Sequence, residues 1–434
     1  AALTDAVARF PSAFASVGVP DDATVFKSSF AEVLPAFEAA RAASPERSAI
    51  ARHVAGVALT GVVVEPGSVP ITDAVAAESE PFDLETWSPG GDSRLRPTVA
   101  VDGELLSGAA LFAAVDALVA RGSATASVAA AVSELVDEAG DEGIDLRGKR
   151  IVVLGAGAEL APTRLWLDGG ADVLWIDLDD PPTDLLARTD LGGTLRWVSG
   201  GVDLLDEPHR VRATIEAFAD GSPVDLGLYA YAPGRGREWR LTATMNAIVD
   251  ALGPDVVRSV AMLVSPTTCG LLTADDLAVE AERVAQRPRW QRAASAMRLL
   301  GRTGGHASSP TGTMAANRGI VTIQGSSYQT AQYVGKLLTA EAWASGGRSI
   351  AVSANTAGIS LTESLHHPVF DIAFAGAGAL GVETFEPATT AALNGLLTLH
   401  DRLRPHDVDA GVDAIFSTRV HGGIYVMPYP IDPA

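Results

Sequence analysis

The stretch SSYQTAQYVGK (326–336) sets Tyr328, Tyr333 and Lys336 close together, and of 32 lysines and arginines in the chain Lys336 is one of only three lysines. A helix starting near Tyr328 puts Tyr333 and Lys336 on neighbouring surface, with Tyr328 about two turns before the lysine. A phenol with a pKa of about 10 exchanges protons poorly at neutral pH. A nearby ammonium favours phenolate, lowers that pKa and lets the oxygen trade a proton with a carbonyl/alcohol pair. Lysine's compact charge can also hydrogen-bond a ribose, where arginine's broad fork fits badly. The same spacing suits a surface lysine beside two half-buried rings.

A second constellation lies upstream. In KRIVVLGAG an apolar run ends in Gly155, Ala156 and Gly157, and the stretch APTRLWLDGG that comes next reads as a helix. A tight glycine turn lets backbone amides approach a diphosphate, with the helix start supplying further donors. ADVLWIDLDD reads as the next strand and ends at Asp177, 22 residues beyond Gly155. A carboxylate there accepts from an adenosine ribose and repels a 2′-phosphate, so NAD(H) is favoured over NADP(H). Leu160 stands where a third glycine would complete the pattern. S-adenosylmethionine sites pair the same kind of turn and acid, which makes a methyltransferase an alternative. A formally complete GxGxxG in FAGAGALG (Gly376, Gly378, Gly381) lacks a strand before it and reads as a flexible loop.

The elements around these residues alternate. Short apolar runs in TLRWVSGG, VDLGLYAYAPG, RSVAMLVSP, RGIVTIQGSS and RSIAVSANTAG read as strands, and helical patterns such as HRVRATIEAFADG lie between most of them. This alternation predicts an α/β fold with a doubly wound, mostly parallel sheet. The sheet should occupy residues 146–404, with an insertion at about 271–318 that could form a lid, and residues 405–434 should pack on it as a tail. Residues 1–145 read as a separate accessory unit. In it FAEVLPAFEAARA, SGAALFAAVDALVARG and ATASVAAAVSELVDEAG are helices, HVAGVALTGVVVEP and LRPTVAVDGEL short strands, and ESEPFDLETWSPGGDSR a loop.

From 149 to about 400 the order of segments resembles a divergent short-chain dehydrogenase/reductase with a Rossmann-like fold. The glycine turn, the Asp-ended second strand, VDLLD, LYAYAPG, the helix with Asn246, the strand ending at Ser265, the Tyr/Lys helix and SIAVSANTAGISLTES succeed one another as in that family. The resemblance implies a cofactor site including Asp203 and Leu204 beside the adenine, Ala232, Thr356 and Lys336. It also implies that Asn246 supports a proton relay, Ser265 polarises the substrate oxygen, and Tyr328 or Tyr333 is the acid–base. Ser326 and Ser327 compete for the role of Ser265. Glu159 and Ala161 replace later glycines of the family's turn, and neither tyrosine keeps its usual Tyr-x3-Lys spacing. The longer spacing of enoyl reductases is nearer, and favours Tyr328. The implied activity is NAD(H)-dependent hydride transfer to or from a carbonyl or enoyl group of a largely apolar small molecule. A degraded dinucleotide-binding sensor or scaffold keeps the fold without the chemistry.

Bulk properties narrow the partners. A net charge of −21 and no basic run argue against a nucleic-acid partner and an anionic membrane surface. No apolar run reaches about 18 residues, so no membrane insertion is expected. The single cysteine, Cys269, excludes an intrachain disulfide and fits a reducing, cytoplasmic setting. It reads as a buried neutral thiol rather than a nucleophile. His366 and His367 could be acid–base groups or metal ligands but read as an exposed loop pair, so no metal site is expected, and His421 reads as a packed tail histidine rather than one closing over a substrate. No Gly-Lys-Ser/Thr comes after the glycine turn, which excludes a phosphate-hydrolysing loop. A homo-oligomer is compatible with helices flanking such a sheet.

Overall fold

The computed structural model describes all residues except 65–67, 233, 235, 298, 301–304, 346–350, 364–367, 407–411 and 430–434. Its centre is a sheet of seven strands: β1 (Glu85–Trp87), β2 (Arg150–Leu154), β3 (Asp172–Ile176), β4 (Thr194–Trp197), β5 (Val224–Leu228), β6 (Val257–Met262) and β7 (Ala351–Ser353). Their spatial order is β7-β6-β5-β2-β3-β4-β1. Six run parallel, and β1 closes one edge antiparallel to β4. Continuous apolar runs such as RIVVL make strands that can be covered on both faces, and β2, β3 and β5 are so buried. The six parallel strands have the order 3-2-1-4-5-6 of a doubly wound Rossmann-like sheet, whose direction of progression reverses between β2 and β5.

Among the helices that pack around the sheet and its carboxyl edge are α1 (Ala23–Ala43), α2 (Arg47–Thr60), α3 (Ala126–Ala139), α4 (Arg237–Val256), α5 (Gly325–Ser345), α6 (Pro368–Ala379) and α7 (Pro387–Leu403). One core joins α4 to one face of the sheet through Leu241, Ile248 and Val260. The opposite core joins α3 and α7 through Val132, Leu135, Leu396 and Trp166. A third unites α1, α2 and α5 around Phe37, Val54, Tyr333 and Leu337. The first 145 residues therefore supply an edge strand of the main sheet and helices packed on it. No helix among the described residues is long and apolar enough to cross a membrane.

Several local expectations are corrected. HVAGVALT belongs to α2, where Ile50, Ala51, Val54, Ala55 and Ala58 face inward at helical spacing. Packing against α5 overrides the β-branched composition. The loop ESEPFDLETWSPGGDSR contains β1, whose partner β4 would otherwise be an open edge. GIVTIQG is no strand: Thr322–Gln324 forms a single 3-10 turn leading into α5. FAGAGALG is not a loop either, since its glycines up to Gly378 lie within α6.

Candidate functional site

A cavity of about 1190 Å³ opens at the carboxyl ends of the parallel strands, beside the reversal between β2 and β5. Crevices at that place are where open α/β sheets bind ligands. Its floor is Gly157–Leu160 and the end of β5; its walls are α4, the loop after β6, and the start of α5. Phe370, Phe374, Ala377 and Leu380 of the α6 region cover it with apolar surface.

The glycine turn is shaped by the sheet. Gly155 has φ +83°, and a Cβ there would stand 2.3 Å from the Ala230 nitrogen, so only glycine lets β2 and β5 end so close together. Its N–H and that of Ala156 donate to the Ile176 carbonyl, and Ala158 N–H donates back to Gly155. Gly157 N–H donates to Asp177 Oδ2 at 2.8 Å, while Leu178 N–H donates to Oδ1 at 2.7 Å. The Asp177 carboxylate thus ties the end of β3 to the turn and keeps lone pairs for further donors. The amides of Glu159 and Leu160, on the cavity floor, have no internal partner among the described residues. The expected helix directly after the turn is corrected: it comprises only Thr163–Asp168, because Pro162 disfavours helical backbone at Ala161.

Three of the expected catalytic residues line the far side of the same cavity. Tyr328, Ser265 and Asn246 all line the cavity. Tyr328 lies beside Ser265, and its ring packs edge-on to Tyr231 at 5.7 Å. Burial pushes the Tyr328 pKa well above the usual tyrosine value; the neighbouring Ser265 hydroxyl offsets this only in part. Ser265 is held by its own N–H on Gln332 Oε1 at 3.0 Å and by Thr267 Oγ1 at 2.9 Å from its hydroxyl. Asn246 Nδ2 donates to the Thr242 carbonyl one turn earlier, at 2.9 Å.

The other expected residues lie elsewhere. Tyr333 is fully buried and donates to Glu38 Oε2 at 2.8 Å; burial and that carboxylate raise its pKa far above normal. Lys336 points away from the large cavity, donating to the Cys269 carbonyl at 2.8 Å with its Nζ 5.0 Å from the centre of the Phe416 ring. The ammonium expected to lower a phenol's pKa is therefore not beside Tyr328. Asp203 caps Leu205 and pairs with Arg237 at 3.2 Å, Leu204 is in the core, and Ala232 lies just beyond the cavity wall. Thr356 is buried beside a second, smaller cavity. Cys269 is buried, and desolvation pushes its thiol up to about 12. His421 is buried and stacks on Tyr425, and His366 and His367 lie outside the described residues.

No family model and no curated protein matches this chain.

Two contributors were not expected from sequence. Glu238, buried at the start of α4, accepts from Gly234 N–H at 2.7 Å and Ser327 Oγ at 3.2 Å, and lines the cavity. Gln324 Oε1 accepts from Thr267 at 2.6 Å and from Gln329 Nε2 at 3.1 Å, bracing the loop that holds Ser265. The only signal for Gln324 is the run of polar residues in VTIQGSSYQTAQ, which no spacing rule singles out, and Glu238 in GREWR carries none.

Proposed function

We propose that this chain is an NAD(H)-linked reductase of a largely apolar carbonyl or enoyl compound, with Tyr328 as proton donor. The observation that carries the reading is the placement of Tyr328 beside Ser265 in a cavity at the reversal point of a doubly wound sheet. The donor set suits a dinucleotide: open amides at Glu159 and Leu160 for a diphosphate, and the Asp177 carboxylate for ribose hydroxyls. At about 1190 Å³ the cavity is larger than most single-ligand pockets, which leaves room for a substrate as well.

The bound nicotinamide would supply the hydride. Ser265 donates to the substrate oxygen, and Tyr328 gives it a proton as negative charge develops there. A phenol with a raised pKa stays protonated at neutral pH, so Tyr328 stands there as a proton donor and not as a base. Phe370 and Phe374 exclude water and accept the apolar remainder of the substrate.

Thermal unfolding with NADH, NADPH or S-adenosylmethionine tests this. A ligand at about a hundred times its Kd adds roughly 2.7 kcal/mol of stability. Protection by NADH with turnover of a carbonyl or enoyl compound supports the proposal, and protection by S-adenosylmethionine alone replaces it. The position of Lys336, away from Tyr328, favours one second reading: a dinucleotide-binding protein without turnover. NADH protection with no reaction across a carbonyl and enoyl panel would select it.

A further inference from the structure

Behind the loop that carries Ser265 lies a separate cavity of about 170 Å³, between α1, α5 and the tail. We propose that it is a binding site for one compact monovalent anion, held between Lys336 Nζ and Arg419 Nε.

Two buried cations there keep donors unused. Lys336, 3% exposed, has three N–H groups, and one of them is used on the Cys269 carbonyl at 2.8 Å. Arg419, 4% exposed, donates through Nη1 to the Leu271 carbonyl and through Nη2 to Asp276 at 2.9 Å. Its Nε is buried without a partner among the described residues. Both side chains line the cavity.

The charges point the same way. Glu38 also faces the cavity, but its two oxygens are occupied by Arg41 at 2.7 and 3.0 Å and by the Tyr333 hydroxyl at 2.8 Å. Arg419 is balanced by Asp276. His421 is kept neutral, because burial lowers its pKa. No ion-pair partner within 4 Å of Lys336 Nζ is found among the described residues; the nearby Glu38 carboxylate feels its charge but is hydrogen-bonded to Arg41, and a buried ammonium so placed is costly until it is neutralised. Water could fill the space and satisfy the N–H groups, yet it would leave the charge unbalanced.

Size selects the ligand. Pockets for organic ligands span roughly 300–1,000 Å³, so this one admits an ion of the size of a halide, formate or bicarbonate. Val264 lines the small cavity and Ser265 the large one, so the bound anion braces the loop on which Ser265 stands.

Crystals of the full chain grown in sodium bromide test this by anomalous scattering. The expected result is a bromide peak in contact with Lys336 Nζ and Arg419 Nε, and ordered water alone in the cavity would overturn the proposal. In parallel, thermal unfolding is monitored at constant ionic strength while bromide or formate replaces sulfate. The midpoint should rise to saturation in the wild type and stay flat in Arg419→Gln; an equal rise in both would also overturn it. A larger rise with formate than with bromide assigns the site to small carboxylates, and the reverse to halides. Should Arg419→Gln fail to fold, the bromide peak in wild-type crystals decides alone.

Discussion

Tyr328 and Lys336 stand on one helix and serve different cavities: Tyr328 lines the large cavity beside Ser265, while Lys336 lines the small one and its Nζ donates to the Cys269 carbonyl at 2.8 Å. Eight residues of helix turn a side chain by about 80° and advance it by about 12 Å. The loop after β6 passes between the two directions, so each residue meets a different part of it. The phenol in the large cavity is thereby governed by burial rather than by an ammonium.

The proposed proton transfer should reflect this. Tyr328→Phe should lower the reductase kcat by about 10²–10⁴-fold, the usual worth of a positioned acid, while leaving NADH protection in place. Because the Tyr328 pKa is raised, the rate should stay level with pH up to the ordinary tyrosine range and fall only beyond it. A kcat that falls between pH 7 and 9 through loss of the tyrosine proton would contradict the assignment.

The parallel sheet was legible because each strand is an apolar run that must be covered on both faces, and the order of runs and helices restricts the connections. Gly155 was legible for a related reason, since a strand ending in glycine marks a close backbone approach. The direction of Lys336 was not, because it depends on where the loop after β6 runs, and nothing in SSYQTAQYVGK encodes that. Tyr333 resembled a site residue in sequence because its partner, Glu38, lies 295 positions earlier. The same distance in sequence hid α2, whose helical state is fixed by α5.

Two glycines of the turn should respond differently to a methyl group. Gly155→Ala places a Cβ 2.3 Å from the Ala230 nitrogen at φ +83°, so the variant should be strongly destabilised or fail to fold. At Gly157 the nearest neighbour of a Cβ is the Trp175 ring at 3.1 Å, with Asp177 Oδ2 at 3.3 Å. Gly157→Ala should therefore fold, but shift Asp177 and lose NADH protection. Circular dichroism separates the two outcomes, and a Gly157→Ala protein protected by NADH like wild type would remove Asp177 from the ribose site.

Cys269 should behave as an inert thiol. Desolvation pushes its pKa up to about 12, and Lys336 offsets this only in part. Ellman's reagent at pH 8 should leave the folded protein unlabelled and modify one thiol per chain after denaturation. Rapid labelling of the native protein would mean that the Cys269 region opens to solvent.

Acid should unfold the protein in two stages, both with the same sign. His421 is buried and neutral, with a folded pKa below its ordinary value of 6.5, so the unfolded chain binds the proton first. Stability is full above that value and declines as pH falls below it, by up to about 1.4 kcal/mol per pH unit. Burial pushes the Glu38 pKa up, but Arg41, with help from Lys336 and Tyr333, outweighs it and brings the pKa to about 2. Its stabilisation is present above the unfolded value of 4.5 and is lost as pH falls through about 2. Glu38→Gln should therefore cost roughly 3–5 kcal/mol at neutral pH, because it removes the carboxylate that faces the buried Arg41 charge. It should also reduce the slope below about 4.5, where His421 and the carboxylates of Asp225 and Asp401 still contribute, while leaving the slope between about pH 6.5 and 4.5, which belongs to His421. Urea denaturation across pH 3–7 measures both terms, and a Glu38→Gln variant as stable as wild type at pH 7 would show that the Arg41 charge is compensated from another source.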